Sequence, residues 1–183
     1  SSDHKIDNVD NFRKVIEIGK KYALEGKVVT FGVIPISPET GYGYIKADSP
    51  FDNSLIIGKE IDKFVEKPDK EKAQELIKDK RYTWNSGIFM FKAKVILEEI
   101  KKYEPDLFKY CKESLKKNLC DLDFQRIDKN AFEKCPNISI DVAVMERTSL
   151  GIVLPLDVGW SDIGSWSAVW ENSKKDKNNN FKK

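Results

Sequence analysis

The sequence predicts an α/β fold: one mixed, mostly parallel sheet covered by helices on both faces. Two observations carry this. Short apolar, β-branched runs alternate with stretches of helical periodicity along most of the chain. The 183 residues, 40% of them hydrophobic, also suffice for one domain with its own core. No internal repeat and no linker interrupts the pattern, so residues 1–183 form one predicted domain.

The elements follow in order. Phe12, Val15, Ile16 and Gly19 recur at helical spacing, and Tyr22 and Ala23 continue that face. Asp7, Asn8 or Asp10 can cap the helix, and Gly26 can end it. Val28–Ile34 reads as a buried strand, after which Pro35 and Pro38 force a loop. Within Thr40–Ile45, Tyr42 and Tyr44 share one face if extended, and Gly41 and Gly43 leave room on the other. Leu55–Gly58 and Ile61–Glu66 predict a two-stranded ribbon, and Asp69 opens a short helix through Ile77. Glu66 and Lys67 are adjacent, so in an extended strand they point to opposite faces.

Asn85 and Ser86 lead into the apolar strand Ile88–Phe91. Buried, they need partners, either a ligand's hydroxyls or backbone amides. Ala93–Ile100 is helical, Tyr103-Glu104-Pro105 breaks it, and a second helix runs through Leu115. Lys116–Pro136 is polar and irregular, with short helical pieces. Ser139–Arg147 reads as a helix capped by Ser139, with Asp141 in its first turn. The strand Leu150–Leu154 leads to Gly159-Trp160-Ser161-Asp162-Ile163-Gly164-Ser165-Trp166. There an acid sits between strand and helix, at the sheet edge where open α/β folds bind ligands. The structural alternative is that Asp162 caps the helix.

Composition excludes several functions. Charged residues make up 34% of the chain, yet the net charge is only +2, so no nucleic-acid footprint is present. The Lys-rich end, Lys174 to Lys183, reads as a solvated tail. No apolar run approaches the ~20 residues that span a bilayer. No signal peptide is visible. A cytoplasmic location without a membrane partner is therefore expected. Cys111, Cys120 and Cys135 lack CxxC spacing, and His4 is the single histidine, so reduced thiols and no zinc site are expected.

Five segments then stand in order: Ser2-Asp3-His4, Pro38-Glu39-Thr40-Gly41-Tyr42-Gly43-Tyr44-Ile45, Phe64-Val65-Glu66-Lys67-Pro68, Trp84-Asn85-Ser86-Gly87-Ile88-Phe89, and Ser139-Ile140-Asp141 with Trp160–Trp166 after it. Together they resemble the bacterial mannose-1-phosphate guanylyltransferases. The resemblance implies a nucleotide-diphospho-sugar transferase fold with a Rossmann-like sheet. It implies Mg²⁺, and the conversion of mannose 1-phosphate and GTP to GDP-mannose and pyrophosphate.

The resemblance also implies residue roles. Asp3 and Asp162 match the family's two metal-binding acids. Gly43 matches the Gly whose backbone meets the sugar, with Tyr44 beside it. Glu66 and Lys67 match the pair that holds the sugar hydroxyls and the sugar phosphate. Asn85 matches the Asn that binds mannose, and Asp141 lies in the segment that closes the sugar pocket. Val142 stands where a Tyr is common, and Arg147 where a Lys is common; an Arg keeps the charge and changes its geometry.

The family's Gly-rich loop, which grips the nucleotide with an Arg and a Lys, has no counterpart here. The resemblance therefore implies the later part of a nucleotidyltransferase domain, incomplete at its N-terminus and inactive alone. A homodimer is the expected assembly. Two alternatives stay open: a uridylyl- or thymidylyltransferase acting on another sugar 1-phosphate, and a non-catalytic sugar-phosphate-binding module.

Overall fold

A computed structural model describes residues 1, 3–52, 55–116, 119–178 and 180–181. Ser2 of the first segment and Lys182-Lys183 of the tail lie outside the described residues. Strand β1 (Lys5–Ile6) opens the chain and pairs antiparallel with β9 (Trp160–Ser161) near its end. Helix α1 (Val9–Leu24) follows. Of the three candidate caps Asn8 serves, its side chain accepting the Asn11 N–H at 3.0 Å. Gly26, with φ at 90°, turns the chain out of the helix.

Strand β2 (Val28–Val33) is buried at every position. It runs parallel to β8 (Gly151–Leu156) and antiparallel to β5 (Tyr82–Met90). Beyond β5 lie β3 (Tyr44–Ala47) and β4 (Lys59–Val65), and the first residues of β4 reach β8, so the ladder returns on itself. Alternation along β2 explains the layers. Val29, Phe31 and Val33 join Val15 and Ala23 of α1 in one core. Val28 joins Ile96 of helix α3 (Ala93–Tyr103) and the π-helical turn Asp141–Met145 in another. Helices thus cover both faces of β2. Each fully buried Val, Leu or Phe contributes ~1.5–3 kcal/mol of transfer free energy.

The remaining elements are α2 (Lys70–Leu76), α4 (Pro105–Ser114), a hairpin of β6 (Leu119–Asp121) and β7 (Phe124–Arg126), α5 (Lys129–Phe132) and α6 (Trp166–Glu171). Asp69 caps α2, accepting the Lys72 N–H at 2.8 Å. Cys111 and Cys135 face each other with sulfurs 3.7 Å apart, unbonded. No helix among the described residues is long and apolar enough to cross a membrane.

Four expectations need correction. The sheet is not mostly parallel: among the described ladders only β2–β8 is. A parallel pair needs a long crossover, usually helical; between β2 and β5 the only described helix is the short α2. Leu55–Gly58 forms no strand, because the Gly58 N–H donates to the Tyr22 hydroxyl (3.1 Å) rather than to a neighbouring strand. Lys116–Pro136 holds a hairpin besides its helical piece. Ser139–Arg147 contains a π-helical turn where the sequence pattern predicts an α-helix, though the Ser139 hydroxyl does accept the Val142 N–H at 3.4 Å.

The Thr83 hydroxyl is buried without a hydrogen-bond partner among the described residues. Such a hydroxyl carries its full desolvation penalty, about 1–3 kcal/mol. Thr83→Val, which swaps it for a methyl of similar size, should raise unfolding stability in denaturant by roughly 1 kcal/mol. A lower midpoint would show that the hydroxyl has a partner in solution.

Candidate functional site

β2 and β8 are parallel, so both end at one edge of the sheet, and the segments that leave them meet there. β5 brings Asn85 opposite Gly32 and Trp84 opposite Val33, just inside that edge. Between the Thr30↔Phe89 and Gly32↔Asn85 pairs, β5 carries extra residues, a bulge over Ser86-Gly87-Ile88. Gly87 holds φ at 68° to make it. The bulge is built by its own polar side chains. The Asn85 carbonyl oxygen accepts the Gly87 N–H (3.1 Å), and the Ser86 hydroxyl accepts the Ile88 N–H (3.3 Å). Backbone amides thus supply the partners that Asn85 and Ser86 required.

Those bonds orient Asn85. Its oxygen accepts the Gly87 N–H and faces the buried Thr30 hydroxyl at 3.4 Å, whose nearer acceptor is the Ile88 carbonyl (3.2 Å), and its amide nitrogen donates to Asp141 Oδ1 at 2.9 Å. Its second amide hydrogen has no partner among the described residues. Asp141 opens the π-helical turn, a geometry that often marks functional sites. The Asn85 backbone N–H donates to the Gly43 carbonyl at 2.7 Å. Gly43 in turn lies against Glu66: a Cβ there would stand 2.6 Å from Glu66 Oε2 and 3.0 Å from the Phe64 ring. Gly43, Glu66, Asn85 and Asp141 therefore converge.

Lys67 follows them, but by an unexpected route. β4 ends at Val65, and Lys67 adopts φ 40°, a left-handed backbone before Pro68. The chain reverses there, so Lys67 and Glu66 do not point to opposite faces; their charged ends lie 3.8 Å apart. The side chains are 65% and 44% exposed.

Two expected site residues sit elsewhere. Tyr44 is fully buried, and its hydroxyl donates to the Glu39 carbonyl at 2.8 Å, so it belongs to the core. Arg147 is held at the α3–α4 corner by Glu104 (2.8 Å) and the Tyr103 carbonyl (3.1 Å), and no contact joins it to Asn85 or Glu66.

Tyr42, not Tyr44, reaches the acidic turn: its hydroxyl donates to Asp162 Oδ1 at 3.0 Å. Its ring packs edge-on against Trp84 (5.2 Å) and Trp160 (5.4 Å). Burial, and then the carboxylate beside it, raise the Tyr42 pKa well above that of a free phenol, so it stays protonated as a donor. These rings line a cleft of about 350 Å³ that also includes Glu39, Ser165 and Glu171. Asp162 does not cap α6. Ser165 does, accepting the Ala168 N–H at 3.1 Å.

The β1–β9 register, Lys5↔Ser161, carries Asp3 and Asp162 to the same end of that ribbon. His4 stacks edge-on against Trp160 (5.3 Å) and accepts its indole N–H at 3.2 Å. Asp3 itself is exposed. No cluster of three or more His, Cys, Asp or Glu able to hold a metal is found among the described residues.

Comparison with known proteins places this arrangement. The family model described as nucleotidyl transferase matches residues 1–179. The chain belongs to the nucleotidyl transferase family. A mannose-1-phosphate guanylyltransferase of Salmonella montevideo is 45% identical across 100% of this chain, which spans 39% of that relative. The mannose-1-phosphate guanylyltransferase of Escherichia coli K12 is 46% identical over 94% of the chain, which spans 36% of it. Among solved structures, mannose-1-phosphate geranyltransferase from Thermus thermophilus superposes with a TM-score of 0.76 at 30% identity, over 92% of this chain and 47% of that one. Mannose-6-phosphate isomerase from Helicobacter pylori gives 0.75 at 31% identity, over 87% and 61%. These neighbours are α/β proteins acting on sugar phosphates by name.

In this member of the family Tyr42 and Thr30 also reach the edge that holds Asp162 and Asn85, and the resemblance gives neither a role. Tyr42 carried a signal, an aromatic between two glycines, but the strand begins only at Tyr44, so the expected shared face does not exist. Thr30 carried none; it reads as one more β-branched core residue.

The Glu66–Lys67 ion pair is too exposed to stabilise the fold by more than about 0–1 kcal/mol. Lys67→Ala should therefore leave the unfolding free energy within roughly 1 kcal/mol of the parent. Lys67→Gly, which relieves the left-handed backbone, should stabilise by up to about 1 kcal/mol. A large loss in either variant, measured by denaturant unfolding, would make Lys67 a structural residue.

Proposed function

We propose that this chain supplies the sugar-phosphate side of a mannose-1-phosphate guanylyltransferase, which turns mannose 1-phosphate and GTP into GDP-mannose and pyrophosphate. The observation that carries the reading is 45% identity along 100% of the chain to a relative of that name. The convergence of Gly43, Glu66, Asn85 and Asp141 supports it.

A phosphate oxygen of mannose 1-phosphate attacks the α-phosphorus of GTP. A new P–O bond forms as the bond from that phosphorus to the α–β bridging oxygen breaks, and pyrophosphate leaves with the electron pair. The nucleophile belongs to the substrate, so no Ser, Cys or His need be activated. The chain's work is alignment and charge compensation. Asn85, with its spare amide hydrogen, Asp141 and Glu66 bind sugar hydroxyls. Gly43 lets the sugar approach the backbone, because any side chain there would strike Glu66. Lys67 meets the sugar phosphate, where a charge-assisted bond is stronger than a neutral one. Tyr44 and Arg147 act at one remove, by holding the Glu39 loop and the end of the π-helical turn.

Asp3 and Asp162 fit Mg²⁺, which binds through one or two carboxylates and completes its shell with phosphate and water oxygens. They lie at one end of a ribbon, and no donor reaches Asp162 Oδ2 among the described residues. When bound, the ion supplies Lewis-acid stabilisation of phosphate charge and a template for both substrates. The sheet, in this reading, is the Rossmann-like sheet of the nucleotide-diphospho-sugar transferases.

Steady-state kinetics of the intact enzyme test the assignment. Asn85→Ala should raise the KM for mannose 1-phosphate about tenfold or more, the effect of leaving sugar hydroxyls unpaired. The KM for GTP should hardly move. Lys67→Ala should weaken mannose 1-phosphate binding without changing stability. Equal effects of Asn85→Ala on both substrates would return Asn85 to a structural role.

A further inference from the structure

The two oxygens of the Asp162 carboxylate are not equivalent. The Tyr42 hydroxyl donates to Oδ1 at 3.0 Å, and the Gly164 N–H donates to the same Oδ1 at 3.0 Å. No described residue donates to Oδ2. One donor comes from a segment 120 residues away, the other from the same turn. They are themselves held in place. Tyr42 is wedged between Trp84 and Trp160, and Trp160 is fixed by its contact and hydrogen bond with His4. Gly164 approaches so closely that a Cβ would stand 2.8 Å from Oδ2 and 3.2 Å from Cγ, so any other residue would displace the carboxylate. Ile163, with φ at 52°, makes the left-handed step that brings the Gly164 N–H round.

Two donors on Oδ1 leave Oδ2 as the oxygen of this carboxylate that has no donor among the described residues. They also stop the carboxylate from rotating to offer both oxygens. Mg²⁺ requires near-ideal octahedral geometry, which a carboxylate meets best through a single oxygen. We propose that Tyr42 and Gly164 are positioning residues that lock Asp162 through Oδ1, so that it offers Oδ2 alone to a divalent cation. The same lock ties the metal side to the sugar side, because Tyr42 and Gly43 are neighbours and Gly43 carries the contacts to Glu66 and Asn85. This inference rests on the reading of Asp162 as a metal-binding residue.

The test is Mn²⁺ alone, titrated into the intact enzyme and its variants and followed by the EPR signal of free Mn²⁺. Thermal unfolding of each variant is measured alongside. Asp162→Asn should abolish the site. Tyr42→Phe keeps the ring and its packing and removes only the donor; it should weaken Mn²⁺ binding about tenfold, the effect usual for the outer partner of a metal ligand. Its unfolding midpoint should stay near that of the parent. Gly164→Ala should weaken Mn²⁺ binding at least as much. If Asp162→Asn weakens Mn²⁺ binding and Tyr42→Phe does not, the lock is wrong and the metal assignment stands. If Tyr42→Phe lowers only the unfolding midpoint, Tyr42 is structural and the proposal falls. If Mn²⁺ binding is undetectable, or is unchanged in Asp162→Asn, the metal assignment fails and takes the lock with it.

Discussion

The parallel alignment of β2 with β8 is the constraint on which the rest of the structure depends. The two strands pair residue for residue, from Val28↔Gly151 to Val33↔Leu156, and both are buried throughout. Parallel strands deliver their carboxyl ends to one edge. The loop after β2 leads to Tyr42 and Gly43, and the turn after β8 leads to Asp162. The register brings both segments to this edge, and the Asn85–Gly43 bond and the Trp84–Tyr42 contact hold the first of them there. A slip of one residue would send the Val29, Phe31 and Val33 side chains away from α1, so core packing enforces the site geometry. The β1–β9 pair extends the same logic, carrying the start of the chain to the acidic turn.

Polar groups at that edge are satisfied from within the chain, and the way they are satisfied gives them direction. Asn85 is oriented by the Gly87 amide, and so presents its nitrogen to Asp141. A half-buried amide that could turn freely would not discriminate one sugar hydroxyl from another. The backbone near the site is correspondingly unusual. Lys67 and Ile163 are non-glycine residues with positive φ, Gly87 makes a bulge, and Asp141 starts a π-helical turn. The two non-glycine positions cost of order 1–3 kcal/mol each and persist where surrounding structure dictates them. All four stand at or beside residues that the family resemblance marks as functional.

The division between Tyr42 and Tyr44 shows how narrowly a site can be placed. Both are tyrosines of one Gly-rich segment. Tyr44 is the first residue of β3, its ring is enclosed, and its hydroxyl is used on the Glu39 carbonyl. Tyr42 stands before the strand, where the chain is free of the pleat, and its hydroxyl crosses to Asp162. Arg147 is similar: it lies just beyond the turn that carries Asp141, and its guanidinium is taken by Glu104. A charge near a site in sequence need not be in it.

The sequence by itself determined the α/β class, the helices α1 to α4, the strands β2 and β8, and the group of residues Gly43, Glu66, Asn85 and Asp141. Hydrophobic periodicity, caps such as Asn8 and Asp69, and breakers such as Gly26 and Pro105 are local signals, and local physics sets those elements. The family resemblance singled out those four residues, and the fold brings them together. Only the tertiary structure decided the strand directions, the bulge at Asn85, the reversal at Lys67 and the capture of Tyr44 and Arg147 by other partners. Each depends on which group, distant in the chain, competes for a donor, an acceptor or a face. Tyr42 and Asp162, 120 residues apart, make the case. No window of sequence contains both, and the hydrogen bond between them depends on β2 and β8 ending at the same edge.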